Sequence, residues 1–329
     1  METLLLSRRD IEQVISMKDA VEIVERTFRG MGEGTVSNPT KAALDLGEAA
    51  PWPPHRGFMN AMPAYVGWLE SAGMKWVGGF HENPARGLPF ISSMILLIDP
   101  HDGRFVAALD GVLVTALRTG AQTAVALKHL HGGSSLRIGL FGAGVQARSQ
   151  VRAIAELFSI EGLTVYDLRR EAAQALAAEL HPLVLGGIRV ADRPEEAAAA
   201  EAVICATMAK DKFLREAWIK PGATIVPMGS YQECEDALLL GADKIVVDHI
   251  EQTLHRGALR DVAAAGLVTA ERIHATLGEV VAGKKPGRES AAERIVCVPL
   301  GVGAHDIAVA TVAYRRALAQ GLGGRFAFA

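Results

Sequence analysis

Residues 136–141 and the turn that follows them, Gly142-Ala143-Gly144-Val145-Gln146-Ala147, constrain this chain more than any other stretch. An apolar run of strand length ending in Gly-x-Gly-x-x-Ala calls for a tight turn and then a helix packed closely on a strand. Gly142 permits the turn, Gly144 lets the backbone approach a pyrophosphate, and Ala147 replaces the third glycine as a small packing residue. Residues 148–158 have helical character, and the start of that helix offers free N–H groups to the phosphates. Residues 162–167 read as the next strand. Asp167 stands about 20 residues beyond the turn, where a carboxylate accepts ribose hydroxyls. The competing reading is an ordinary glycine turn plus a solvated aspartate, and it requires strand, turn, helix, strand and acid to fall in order by chance. A dinucleotide site is therefore expected. Asp167 argues for NAD(H), because a carboxylate repels a 2′-phosphate, while Arg169 and Arg170 can accept that phosphate and keep NADP(H) open.

The same alternation continues. Alanine-rich helices around 170–180 and 194–200 separate strands at 202–206, 224–227 and 244–247, which predicts a parallel, doubly wound sheet. The region before it reads differently. Ser16 and Asp19 begin a helix in which Met17, Ala20, Val21, Val24, Phe28 and Met31 recur at helical spacing, ended by Gly30, Gly32 and Gly34. Short apolar runs at 42–46, 58–65, 74–79 and 91–98 follow as strands, with loops at Pro51-Trp52-Pro53-Pro54 and 81–89 and a helix at 115–131. A last helix spans 306–320. The expected fold class is α/β: a Rossmann doubly wound parallel sheet over 121–300, plus an α+β domain over 1–120 that 301–329 completes. Two domains suit 329 residues at roughly 150 per domain.

Composition removes several partners. With 34 Lys+Arg against 37 Asp+Glu the net charge is -3, without the basic excess that nucleic-acid backbones demand. No apolar run approaches the roughly 18 residues of a membrane span, and the patch within Met1–Asp10 is too short for a signal sequence. Cys205, Cys234 and Cys297 are odd in number and widely spaced, which argues against a disulfide framework or a Cys-x-x-Cys metal pair and favours a reducing cytoplasm.

Three cations stand in apolar company. Lys75 lies within Gly73-Met74-Lys75-Trp76-Val77, Arg118 lies at a helix start within Thr115-Ala116-Leu117-Arg118-Thr119-Gly120-Ala121, and Lys41 precedes the strand at 42–46. A cation on an apolar element is costly unless paired, so it meets either a protein acid or an anionic ligand. For Lys41 a strand-end surface position is an equal alternative.

These segments carry a resemblance. Met62-Pro63-Ala64-Tyr65, the Lys75 segment, Asn83-Pro84 with Gly87-Leu88-Pro89, Asp110-Gly111, the Arg118 segment and the Gly142–Ala147 turn occur in order. Leu277-Gly278-Glu279, Gly283 and the turn from Gly301 to Asp306 complete a series running over nearly the whole length. The chain resembles the ornithine cyclodeaminase/mu-crystallin family. The resemblance implies a homodimer, with an N-terminal substrate-binding and dimerisation domain and a Rossmann domain for a nicotinamide cofactor. By motif matching it implies that Lys75 and Arg118 are catalytic and, with Lys41, bind the substrate. Arg118, Thr119, Gly142, Gly144, Val145, Gln146, Asp167, Thr207, Met228, Gly229 and Val302 would line the cofactor. Lys41 stands where cyclodeaminases of the family usually have Arg, and the two are not equivalent for bidentate carboxylate binding.

One departure bears on the reaction. Cyclodeaminases of the family show Gly-x-Asp after the strand at 224–227, and here the turn reads Gly229-Ser230-Tyr231. Tyrosine, with a reference pKa near 10, is a poor base at neutral pH. Glu233, Glu235 and Asp236 are the acids close enough in sequence to replace it. The expected function is NAD(P)H-dependent reduction of a small 2-imino acid or ketimine to an L-amino acid. The alternatives are ornithine cyclodeamination to proline and ammonia, and a non-enzymatic, nucleotide-dependent ligand-binding protein. Asp248-His249-x-Glu251-x-x-x-His255 lacks His-Glu-x-x-His spacing, so no metal is expected. His81 reads as a solvated loop residue, Cys234 lacks a neighbouring His, and Asp306 reads as an N-cap in a turn with His305.

Overall fold

The computed structural model describes residues 2–47 and 55–328, so the Pro51-Trp52-Pro53-Pro54 cluster lies outside the described residues. The chain divides into two compact units. One runs to Arg118 and resumes at Val302; the other is Thr119–Gly301.

The first unit is built on a sheet of strands β1 (Glu2–Leu6), β2 (Val36–Ser37), β3 (Ala42–Asp45), β4 (Gly57–Val66), β5 (Ser71–Phe80), β6 (Ile91–Ile98) and β7 (Phe105–Asp110), with the terminal strand Gly324–Ala327. Its order is terminal strand, β1, β7, β6, β5, β4, β2, with β3 also paired to β4. The long β4 and β5 pair antiparallel along their whole length, from Gly57↔Phe80 to Val66↔Ser71. Helices α1 (Arg8–Val14) and α2 (Met17–Glu33) belong to this unit, and α3 (Gly111–Leu130) begins in it and runs on past Arg118. The C-terminal helix, Gly303–Ala319, packs on β4, β5 and α2. Side chains alternate across the sheet. Met62, Lys75, Ile95 and Leu109 turn inward along one row, while Trp76 and Met94 stand about half exposed on the other face.

Several sequence expectations shift here. Ser16 and Asp19 do form a capping box, but α2 continues through Gly30 and Gly32 and ends at Glu33, with Gly34 in the left-handed region. A helical glycine costs only about 1 kcal/mol, and Gly30 is buried where a Cβ would lie 2.9 Å from Val36. The first residues form β1 and the start of α1, itself closed by a Ser7–Asp10 capping box. Strand β7 was not anticipated. Helix α3 starts at Gly111 rather than 115, because the Asp110 carboxylate accepts the Leu113 N–H at 2.9 Å. Arg118 therefore sits two turns inside the helix and not at its start. The last helix likewise starts early. Val302 is its N-cap, and Asp306 is a buried first-turn residue instead of the cap. The cause is Gly303, where a Cβ would come 2.6 Å from the Met62 carbonyl, so its absence lets the helix begin against β4. Asn38 accepts the Ala304 N–H at 2.9 Å.

The second unit is a doubly wound parallel sheet. Strands β8 (Ser135–Phe141), β9 (Ser159–Tyr166), β10 (Ile188–Val190), β11 (Ala202–Cys205), β12 (Thr224–Pro227), β13 (Lys244–Val247), β14 (Ala275–Thr276) and β15 (Ile295–Val298) lie in the order β10-β9-β8-β11-β12-β15-β13-β14. Helices α4 (Val145–Ala155), α5 (Arg170–Leu180) and α6 (Pro194–Ala198) connect the first of them. Strand order reverses between β8 and β11, and ligands of such sheets bind beyond the carboxyl ends at that reversal. Strands β11, β12, β13 and β15 are buried throughout, as expected where both faces are covered. Of these, β15 was not read from sequence, since a four-residue apolar run carries no period of its own.

Gly303→Ala should destabilise the protein by about 1–3 kcal/mol, the usual cost of overpacking. Denaturant midpoints of the two proteins check this, and an unchanged midpoint would mean the helix start does not depend on that close approach.

Candidate active site

In the second unit the glycine turn takes the form its sequence requires. Gly142 has φ 93, and a Cβ there would lie 2.6 Å from the Ala206 carbonyl, so both backbone and space demand glycine. Gly144 caps α4 and faces open space. The Asp167 carboxylate accepts the Ala143 N–H and the Arg169 N–H, each at 2.8 Å, which fixes it beside the turn. Arg148 donates to the carbonyls of Ala143 and Gly144 and holds the turn from α4. Arg170 is engaged by Asp192, while Arg169 is exposed. Further along the carboxyl edge, Thr123 meets the Met228 sulfur at 3.2 Å, and Gly229 follows it. Thr207 donates both its N–H, at 3.0 Å, and its hydroxyl, at 2.5 Å, to Glu233 Oε1. Thr119 Oγ1 and Gln146 Oε1 are buried without a hydrogen-bond partner among the described residues. The orphaned Gln146 oxygen, two residues after Gly144, suits a polar ligand at that turn.

In the first unit Lys75, Arg118 and Asp306 form one buried cluster. Strand β5 supplies Lys75, α3 supplies Arg118, and the first turn of the C-terminal helix supplies Asp306. Lys75 Nζ lies 2.9 Å from each carboxylate oxygen of Asp306, and Arg118 Nε lies 3.0 Å from Oδ1. Thr115 Oγ1 accepts from Lys75 at 3.4 Å. Lys75 is 1% exposed and Asp306 0%. Burial, reinforced by the nearby Arg118 charge, pushes the Lys75 ammonium down to about 8, against the pull of Asp306. Burial works to raise the Asp306 carboxyl, but Arg118 and Lys75 outweigh it and hold it below the ordinary carboxylate range. His305 stays neutral. Burial and then the Arg118 charge push it down to about 3, and its ring packs edge-on to Phe28 at 4.3 Å.

The remaining expected residues are placed as follows. Lys41 precedes β3 and is partly exposed. The pairing of β3 with β4 reaches Ala42↔Ala61, and Lys41 lies just outside it. Val302 belongs to the first unit, as the N-cap of the last helix. Tyr231 is half-buried, and burial raises its hydroxyl further above the usual value. Of the three acids after it, only Glu233 is closed off; Glu235 is part-exposed and Asp236 exposed. Glu233 is fully buried on Thr207, Glu235 lies 3.7 Å from Arg215, and Asp236 accepts from Lys212 at 2.6 Å. His249 Nδ1 accepts the Gln252 N–H, and Asp248 Oδ2 accepts from Gln122 and from the Gly301 N–H. Among the described residues no group of three or more His, Cys, Asp or Glu side chains could hold a metal ion. Sequence reasoning missed the pairing of Asp306 with the two cations. The available signal was an acid needed to balance Lys75 and Arg118.

Comparison with known proteins gives a consistent result. The profile of the ornithine cyclodeaminase/mu-crystallin family matches residues 1–321. An alanine dehydrogenase of Archaeoglobus fulgidus is 34% identical, the match covering 100% of this chain and 99% of that protein. The solved structure of an archaeal alanine dehydrogenase dimer with bound NAD superposes with a TM-score of 0.91 at 33% identity, over 100% of both chains. That of the Thermococcus litoralis Δ1-pyrroline-2-carboxylate reductase with NADH and L-proline gives 0.91 at 34% identity, over 98% of this chain and 99% of that one.

Asp306→Asn should cost about 3–5 kcal/mol of stability, because breaking a buried ion pair strands the remaining charges. It should also push the Lys75 ammonium further down, since Asp306 is what holds it up. Denaturation read across pH distinguishes these effects. A folded-state amine depressed below its unfolded value makes stability rise as pH passes upward through the folded value, and in the variant that rise should begin lower than about 8.

Proposed function

The chain belongs to the ornithine cyclodeaminase/mu-crystallin family, and we propose that it reduces a small 2-imino acid to the corresponding L-amino acid with NAD(H). It is an oxidoreductase acting on C=N and CH–NH2 bonds. The substrate is a 2-oxo acid combined with ammonia or an amine, or a preformed ketimine. The observation that carries this reading is the buried pair of cations, Lys75 and Arg118, held by Asp306 on an otherwise apolar sheet. Two fixed cations at such a site recognise a carboxylate, and the low surrounding dielectric strengthens the contact. Lys41, just before β3, would be a further substrate contact.

The cofactor reading is supported by the open face of Gly144, the Asp167 carboxylate fixed beside the turn, and the unpartnered Thr119 and Gln146 oxygens. When bound, NAD(H) supplies the hydride. Gly142, Gly144, Val145 and Gln146 would hold its pyrophosphate and Asp167 its ribose, with Thr119, Thr207, Met228, Gly229, Arg118 and Val302 toward the nicotinamide. Engagement of Arg170 by Asp192 leaves Arg169 as the exposed cation beside Asp167, and the carboxylate favours NAD(H) over NADP(H).

The protein's own part is to bind, orient and move one proton. Lys75 and Arg118 fix the carboxylate and so orient the adjacent imine carbon. Reduction of C=N adds a hydride to carbon and a proton to nitrogen. An ammonium titrating at about 8 is matched to give that proton from Lys75 Nζ at neutral pH. The cyclodeaminase alternative is disfavoured by Tyr231, whose raised hydroxyl pKa leaves it protonated at neutral pH, and by Glu233, which is buried on Thr207.

The working form is a homodimer in which a second copy covers the open sheet face of the first unit. Tyr65, Trp76, Met94 and Phe105, four large apolar side chains, stand 39–55% exposed there, and exposed apolar clusters mark interaction surfaces. Unpaired, buried cysteines and the absence of any described helix long and apolar enough to cross a membrane accord with a cytoplasmic enzyme.

NADH oxidation should be seen with at least one 2-imino acid from a panel of cyclic imines and 2-oxo acids plus ammonia, and failure with all of them would overturn the reading. With the active substrate, Lys75→Met and Arg118→Leu should each lower kcat/KM by at least about 10²-fold. In the wild type kcat/KM should fall as pH rises through about 8, where Lys75 loses its proton. Trp76→Glu combined with Met94→Glu should give a monomer by light scattering, and a dimer that survives both changes would move the interface elsewhere.

A further inference from the structure

Glu233 has no part in the reaction just described, yet its placement is the least expected feature of the second unit. Its side chain is completely buried, and its backbone carbonyl accepts the N–H groups of Phe213 and Leu214 at 3.0 and 2.9 Å, which fixes where the carboxylate can reach. Both donors of Thr207 converge on Oε1, while Oε2 is buried with no hydrogen-bond partner among the described residues. Thr207 Oγ1 in turn accepts the Ala209 N–H at 3.0 Å, so one carboxylate organises the whole exit from β11. That exit packs on the fingerprint, because a Cβ on Gly142 would lie 2.6 Å from the Ala206 carbonyl and 3.4 Å from Thr207 Cγ2. Side chain, turn and glycine loop thus form one stack at the point where strand order reverses.

We propose that Glu233 is a positioning residue for the dinucleotide site: it pins the Ala206–Thr207 turn against the Gly142 turn, and nucleotide binding is coupled to proton uptake by its carboxyl group. This rests on the nucleotide reading above. Burial pushes the Glu233 carboxyl up to about 7, against the two Thr207 hydrogen bonds. The titratable groups facing it are Tyr231 and Cys234 from its own segment and Cys205 at the end of β11, none of them a cation. A bound dinucleotide adds negative charge at the adjacent glycine turn and excludes water, and both effects disfavour the ionised carboxylate. Binding therefore raises the carboxyl's proton affinity, and by linkage nucleotide affinity falls as pH rises through about 7.

The test is direct binding of NADH, followed by fluorescence between pH 6 and pH 8.5, together with calorimetry in buffers of different ionisation enthalpy. The wild type should bind about tenfold more weakly at the alkaline end and take up a proton fraction near neutrality, a rise of one pKa unit on binding corresponding to that factor. Glu233→Gln should bind with an affinity independent of pH over this range and without proton uptake. Should that variant not fold, Thr207→Val keeps the carboxyl but removes one donor, and its midpoint should move to higher pH. A flat wild-type profile, a slope unchanged in Glu233→Gln, or an unmoved midpoint in Thr207→Val overturns the inference while leaving the nucleotide site in place. No NADH or NADPH binding at any pH would overturn the nucleotide reading itself, and this coupling with it.

Discussion

Asp306 is the charge on which the first unit depends. A lysine 1% exposed in the middle of a sheet would lose its proton or disrupt the fold without a fixed anion. By accepting from both Lys75 and Arg118, one carboxylate opposes the discharge of Lys75, aims both cations, and ties β5, α3 and the C-terminal helix together. The arrangement is a compromise. Asp306 neutralises part of the cluster's positive charge, but it opposes the discharge of Lys75 that burial favours. His305, kept neutral by the same burial, adds no third cation.

The second unit relies on steric rather than ionic means. Gly142 admits a turn that no other residue could make against the Ala206 carbonyl, and Arg148 and Asp167 hold that turn from either side. Backbone N–H groups and one carboxylate are thereby fixed in advance, so a ligand meeting them would spend no binding energy on ordering them.

What the sequence reveals divides along the same line. The nucleotide turn is legible because everything it needs is contiguous: an apolar strand, two glycines, a helix start and an acid at a set distance. The charged cluster is legible only as an anomaly, two cations among apolar neighbours. Their common partner lies 231 residues from Lys75 and 188 from Arg118, and nothing local marks Asp306 except that it sits near a helix start, which invites a capping role. Glu233 is hidden in a similar way, since only the fold shows that it points at Thr207 and not toward the place of a missing aspartate. Strands β1, β7 and β15 escape notice because short strands acquire meaning from their neighbours in the sheet, and α3 begins early because Asp110 caps it.

The first unit takes its last helix and its edge strand from the far end of the chain, and this has a consequence for how the protein is made. Translation delivers all of Thr119–Gly301 before Gly303 is added. The doubly wound sheet can therefore assemble on the ribosome while β4 and β5 still present an uncovered inner face, and while Lys75 and Arg118 lack Asp306. Contacts of such long sequence separation form late and slowly. The nascent chain thus holds a finished second unit and an incomplete first one, and its most aggregation-prone interval falls between synthesis of the two halves of a single sheet-and-helix layer.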